Sequence, residues 1–235
     1  MAGDVTHWAA SASQWIDWVR AKDHDAFWAY RDAFETFVGR GPGDAIEIGC
    51  GEGRIARVLG SLGWTVTAVE PVPQLLQAAR DADSAETYVE ARAGAVPLPD
   101  AGFDLVVLYN VLMDVDDLEG SVAEAVRLLK PGGRLLVGLV HPIMDVLEAQ
   151  KSGALEERPY FGSHPVDVEV ETDGLSMRFH GWRRPLSAYV NVLAETGLRM
   201  ARMEEPKADP SHPATERFSL RLQLPTFLWM DLRKD

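Results

Sequence analysis

Seven residues, Glu47-Ile48-Gly49-Cys50-Gly51-Glu52-Gly53, hold two acids and three glycines. Glycines so spaced let a backbone turn tightly and let a ligand approach main-chain atoms. By itself such a loop fits NAD, FAD, a phosphate or no ligand. The spacing is G-x-G-x-G, not the G-x-G-x-x-G of the dinucleotide fingerprint. Glu47, two residues before the first glycine, is badly placed beside a pyrophosphate and well placed beside a ligand ammonium. Glu70 follows Gly49 by 21 residues, where a carboxylate can accept hydrogen bonds from both hydroxyls of a ribose. For proton transfer the candidates are His141, His180 and Tyr160, with Tyr189 behind them; imidazole has a suitable pKa for the task. His141 directly follows a strand candidate, at the carboxyl edge of the sheet where ligands bind. The structural alternatives are a strand cap before Pro142, a surface position for His180 and flap packing for the tyrosines. Cys50 reads as structural, and Met113 and Met144 as pocket or core filler. No His/Cys/Asp/Glu cluster has metal-ligand spacing, and neither a G-x-S-x-G elbow nor a P-loop occurs.

Alternating strands and helices must carry these groups. Asp44–Ile48, Thr65–Val69, Thr87–Val89, Phe103–Leu108 and Leu135–Val140 read as strands, the fourth apolar enough to be buried on both faces. Between them, Arg54–Leu62, Val72–Ala82 and the stretch from Leu118 to Leu129 have helical spacing. Asp114-Val115-Asp116-Asp117 suits a helix N-terminus, and Lys130-Pro131-Gly132-Gly133 a turn after the helix. This order predicts right-handed βαβ units and a parallel sheet. Residues 141–184 break the rhythm with a charged stretch, Glu148–Arg158, and a hairpin, Val166–Val170 and Leu175–Phe179, around Asp173-Gly174. Helix resumes from Pro185 to Glu195, and Arg199–Met203 and Phe227–Leu232 are the last strand candidates. Residues 1–40 hold four of the seven tryptophans, Trp8, Trp15, Trp18 and Trp28. They either pack a helical cap onto the body or line a pocket as an aromatic lid.

The expected organisation is one α/β domain with a Rossmann-like, seven-stranded, mostly parallel sheet and helices on both faces. Its parts are a cap (1–40), a core (41–140), a flap inserted after the fifth strand (141–184) and the core's C-terminal part (185–235). The chain has 235 residues and a formal net charge of −13, which argues against nucleic acid as the main partner. A single cysteine rules out an internal disulfide and points to a reducing, cytoplasmic home. Neither a signal pattern nor a run near ~20 apolar residues is present, so no membrane partner is expected. The expected partner is a small-molecule substrate, and the protein a monomer or homodimer.

The glycine loop and Glu70 resemble those of the class I S-adenosylmethionine-dependent methyltransferases. So do Val96-Pro97-Leu98-Pro99-Asp100 with Phe103-Asp104-Leu105-Val106-Val107, and Leu128-Leu129-Lys130-Pro131-Gly132-Gly133-Arg134-Leu135. The likeness spans roughly residues 40–140, four motifs in order. His141-Pro142, Tyr160-Phe161, the run from Arg184 to Val190 and Leu224–Leu228 are similar to a bacterial small-molecule branch. The resemblance implies S-adenosylmethionine as cofactor and S-adenosylhomocysteine as product; the expected reaction is methyl transfer to a small molecule in bacterial secondary metabolism, at oxygen first and nitrogen second. It implies that Glu47 faces the methionine end, that Gly49 and Gly51 run beneath the cofactor, and that Glu70 holds the ribose. Tyr109 and Asn110 would border the methyl-transfer channel. Arg92 stands where the family often has an acid for the adenine amino group. That leaves the backbone of Ala93, stacking on Pro71 or Val72, or an acid placed elsewhere. The alternatives are a cofactor-dependent rearrangement or cyclisation, and a non-catalytic binding module.

Overall fold

The computed structural model describes residues 4–151, 153, 160–216 and 222–235. Strands β1 (Asp44–Ile48), β2 (Thr65–Val69), β3 (Thr87–Val89), β4 (Phe103–Tyr109) and β5 (Leu129–Val140) lie parallel, joined through α3 (Arg54–Ser61), α4 (Pro73–Asp81) and α5 (Leu118–Leu128). With β8 (Arg199–Glu204) and β9 (Phe227–Arg233) they form a seven-stranded sheet in the order β3-β2-β1-β4-β5-β9-β8. Only β9 runs against its neighbours on both sides. This is the Rossmann-like architecture expected of the sequence.

The two-residue period of a strand sorts the core into two layers. Ala45, Val66, Leu105, Val107, Tyr109 and Trp229 face α2 (Arg31–Val38), α3 and α4, with Phe34, Phe37, Leu59 and Leu76 packed against them. Ile46, Ile48, Val106, Leu108, Val137 and Met230 face α5 and α7 (Leu186–Glu195). Asp117 caps α5, its carboxylate accepting from Gly120 N at 2.9 Å. The turn expected at Lys130–Gly133 is a looped-out part of β5: Leu129 pairs with Phe103 and Arg134 with Leu105, so the residues between bulge away. Gly132 there takes φ +75° and donates to Lys234 O at 2.8 Å.

After β5 a helix the sequence did not announce, α6 (Ile143–Lys151), leads towards the hairpin. Among its described side chains only Ala149 is buried, and Ile143, Val146 and Leu147 are half-buried. The charged stretch up to Arg158 lies partly outside the described residues. The hairpin is longer than expected, β6 (His164–Thr172) with β7 (Leu175–Arg183), and forms its own two-stranded sheet. Asp173 (φ +50°) and Gly174 (φ +77°) make its turn, the double positive φ that matches strand twist. Helix α1 (Asp4–Arg20) lies against β7 and α4. No described helix is long and apolar enough to cross a membrane.

Trp229 is fully buried, its ring 5.3 Å from Phe34 and 5.5 Å from Phe37. Trp229→Ala should destabilise the protein by about 3–5 kcal/mol, read as a lower urea midpoint; a loss under about 1 kcal/mol would show that this aromatic layer does not hold α2 to the sheet.

Candidate functional site

The strand order reverses between β1 and β4, where α3 and α5 depart to opposite faces. A crevice opens at the carboxyl ends of these strands, and one pocket there is lined by Glu47, Gly49, Gly51, Glu70, Pro71, Ala93, Tyr109 and Asn110. All eight residues expected at the cofactor therefore share one cavity. The glycine loop is held from beneath, with Gly49 N and Cys50 N both donating to Val69 O, at 2.7 and 2.9 Å. Gly49 has φ +75°, and a Cβ there would come within 2.5 Å of Val111 Cγ2, so this position takes only glycine without strain.

The three buried acids at this loop differ in how they are satisfied. Glu52 accepts from Arg57 Nη2 at 2.8 Å and from Arg20 Nε at 3.0 Å, tying the end of α1 to the loop. Glu70 accepts from Gly51 N at 2.9 Å on one oxygen and from Val72 N at 3.0 Å on the other. Glu47 is 1% exposed and its Oε2 has no hydrogen-bond partner. Burial pushes its pKa well above the ordinary carboxylate value; the Ala56 backbone hydrogen bond opposes this, and the charges of Glu52 and Glu70 add to it. An orphaned buried carboxylate oxygen facing a cavity costs stability unless a cation arrives. Asn110 repeats the pattern, with φ +56°, its N–H on Gly138 O at 2.8 Å and a buried, unpartnered Oδ1. Arg54 also lines the pocket, its guanidinium 4.5 Å over the Phe27 ring and 3.4 Å from Asp25 Oδ1.

The roof comes from α1 and the hairpin. Val5, Trp8, Trp15 and Val19 of α1 and Phe179 of β7 line the pocket with Met113 and Asp114 from the loop after β4. Trp8 meets Trp15 edge-on at 5.5 Å, and Trp15 meets Phe179 at 6.5 Å. Trp18 turns instead to the hairpin, 5.8 Å from Phe179 and packed with Met177. The N-terminal tryptophans thus divide between the two roles the sequence allowed. Met113 lines the pocket, one of the two readings the sequence allowed it, whereas Arg54, Asp114 and Phe179 were not foreseen, because residues far apart in the chain meet there only in the folded structure.

His141, His180 and Tyr160 are not among the pocket's lining. His141 Nδ1 accepts from Ile143 N at 3.1 Å while Nε2 lies 3.0 Å from Glu205 Oε1, so both ring nitrogens are engaged at the start of α6. His180 neighbours Phe179, and alternation turns it to the opposite face of β7, where its ring stacks on His7 at 4.6 Å. The Tyr160 hydroxyl accepts from Leu186 N at 3.0 Å, at the start of α7. Tyr189 is buried, and its hydroxyl is pushed up to about 12, chiefly by burial.

A family model described as a methyltransferase domain matches residues 46–137. Over 116 residues the chain is 34% identical to the demethylmenaquinone methyltransferase of Tropheryma whipplei (strain Twist), covering 48% of each protein. Over 110 residues it is 36% identical to the malonyl-[acyl-carrier protein] O-methyltransferase of Serratia marcescens, covering 45% of this chain and 43% of that protein. The chain thus spans about half the length of the curated relatives it matches. An S-adenosylmethionine-dependent methyltransferase structure from Mesorhizobium loti shares the fold, with a TM-score of 0.65 at 21% identity over 88% of this chain and 98% of that one. With the strand order, the glycine loop and the acid closing β2 all in place, residues 46–137 match a methyltransferase domain, carried on the fold that this S-adenosylmethionine-dependent methyltransferase structure shares.

Proposed function

We propose that this protein transfers a methyl group from S-adenosylmethionine to a small molecule with an apolar or aromatic body, at oxygen or nitrogen. The observation that carries the reading is the union, in one pocket, of Glu47's unpartnered buried oxygen and Glu70's carboxylate with a roof of Trp8, Trp15 and Phe179. The relatives' names give two chemically unrelated acceptors, so the acceptor is read from the pocket and not from likeness.

S-adenosylmethionine, when bound, supplies an electrophilic methyl on a sulfonium. The chain's own part is to hold, align and dry the reactants. Glu47 offers its carboxylate to the ammonium of the methionine end, and Arg54 faces that end's carboxylate. The Gly49–Gly51 backbone supports the methionine chain, and Glu70 accepts from the ribose hydroxyls. Pro71, Val72 and Ala93 flank the adenine, so the acid missing at Arg92 is replaced by backbone and apolar contact. Tyr109 and Asn110 border the transfer channel, and the aromatic roof excludes water. His141, His180 and Tyr160 keep structural roles at α6, the roof latch and α7.

Three melting measurements test this. Saturating S-adenosylhomocysteine or S-adenosylmethionine, at 100 times the dissociation constant, should stabilise the fold by about 2.7 kcal/mol, a rise of a few degrees, while NAD should not. No shift with either sulfur nucleoside would overturn the reading. Glu70→Ala should abolish most of that shift. For Glu47, the raised folded-state pKa means a penalty that is absent below the ordinary value of 4.5 and grows as pH rises past it. Glu47→Gln, which cannot ionise, should therefore match the parent in acid and exceed it by about 1–3 kcal/mol at pH near 8 without ligand. The same variant should lose the ligand-induced shift; a variant less stable than the parent at pH near 8 would refute the burial argument.

A further inference from the structure

We infer that Trp15 fastens the roof helix α1 to the bound cofactor, its indole N–H donating to the carboxylate of the methionine end, an inference that rests on the cofactor reading above. Trp15 lies within α1 and lines the pocket together with Gly51. A Cβ on Gly51 would lie 3.2 Å from Trp15 Nε1 and 3.8 Å from its Cδ1. The nitrogen edge of the indole therefore faces the glycine loop. Trp8 and Phe179 meet the ring edge-on, at 5.5 and 6.5 Å, and fix how it is turned. Among the described residues none accepts a hydrogen bond from Trp15 Nε1. Gly51 thus does two things: its backbone flanks the ligand, and its missing side chain lets α1 come down onto the loop.

The floor decides which part of the cofactor meets this donor. Glu47 and Glu70 are acceptors when ionised, suited to the ammonium and to the ribose hydroxyls. Arg54 lines the same pocket three residues beyond Gly51. Its Nη1 is buried without a hydrogen-bond partner, Asp25 Oδ1 lying 3.4 Å away. Trp15 Nε1 and Arg54 Nη1 are therefore two N–H donors beside one loop, each lacking an acceptor. S-adenosylmethionine carries one anionic group, a carboxylate with two oxygens for two donors. A buried donor left unpaired costs free energy that this carboxylate recovers. Elsewhere α1 is tied through Arg20, to Glu52 Oε2 at 3.0 Å and Ala78 O at 2.9 Å, and through His7, 3.0 Å from Arg178 O. Trp15 sits between those ties, so the amino-acid end of the cofactor completes the fastening of the roof over the pocket.

The test is calorimetric titration of the full chain, parent and Trp15→Phe, with S-adenosylhomocysteine and with 5′-methylthioadenosine. The second nucleoside keeps the adenine, ribose and thioether and lacks the amino-acid end. Phenylalanine keeps a ring between Trp8 and Phe179 and has no N–H. The substitution should weaken S-adenosylhomocysteine binding about tenfold and leave that of 5′-methylthioadenosine almost unchanged. Equal losses for both, or no loss for S-adenosylhomocysteine, would overturn the inference. Hydrogen exchange on the parent protein decides even if the variant fails to fold. At equal saturation S-adenosylhomocysteine should slow exchange across α1 about tenfold more than 5′-methylthioadenosine does; equal protection of α1 by the two would refute the role of Trp15. Failure of both nucleosides to bind the parent overturns the cofactor reading itself, whereas binding with equal losses refutes the role of Trp15 alone.

Discussion

Everything at the site follows from β1 and β4 being neighbours while their following helices leave for opposite faces. Glu47 is paired with Val107 in this register, so the acid before the glycine loop and the Tyr109-Asn110 turn are brought side by side by backbone hydrogen bonding alone. No side chain need be positioned by a flexible loop. The two strands are buried on both faces from Ala45 and Leu105 onward, which makes the base of the crevice as rigid as the core. What varies along the pocket is how the polar groups at its floor are satisfied.

That variation separates structural from ligand-directed acids. Glu52 has two arginines and holds the end of α1 and the loop together; removing either cation would strand a buried charge. Glu70 is bonded by amides from two segments, Gly51 N and Val72 N. Glu47 alone pays for its position in stability, since burial disfavours its charged form and its Oε2 is bonded to nothing in the protein. Such a cost persists where a bound cation offsets it, so Glu47 is the acid of this floor that most calls for a ligand cation.

Strand periodicity and breaker residues made the sheet legible, because its signals are local: β-branched alternation at Thr65–Val69, an apolar run at Phe103–Leu108, a glycine closing Asp44–Ile48. The floor was legible for the same reason, its residues lying within a few positions of strand ends. α6 was not, because only Ala149 of its described side chains is buried. The placements of His141 and His180 turned on contacts invisible in one dimension. Glu205 is 64 residues from the first, and His7 lies in a different element from the second. His141 does follow β5 at the carboxyl edge, yet Val140 is the residue that lines the pocket. A one-residue step along a strand reverses the side chain, and no pattern in the sequence fixes that parity with respect to a cavity.

The roof explains why likeness to other proteins is concentrated where it is. The family match stops at residue 137, before the hairpin, and starts at residue 46, after α1. The floor must present the same backbone to the same cofactor, so its glycines and acids are constrained by a fixed shape. On α1 and β7 the roof lies outside the matched residues. Its two parts are far apart in the chain and meet through packing: His7 Nε2 lies 3.0 Å from Arg178 O, Trp18 packs on Phe179, and α1 joins the loop through Arg20. Because α1 and β7 are built against each other, a substitution in one changes the surface that the other offers to the pocket. The roof of the pocket is therefore a joint product of α1, β7 and the turn after β4, while its floor is built by the ends of β1, β2 and β4.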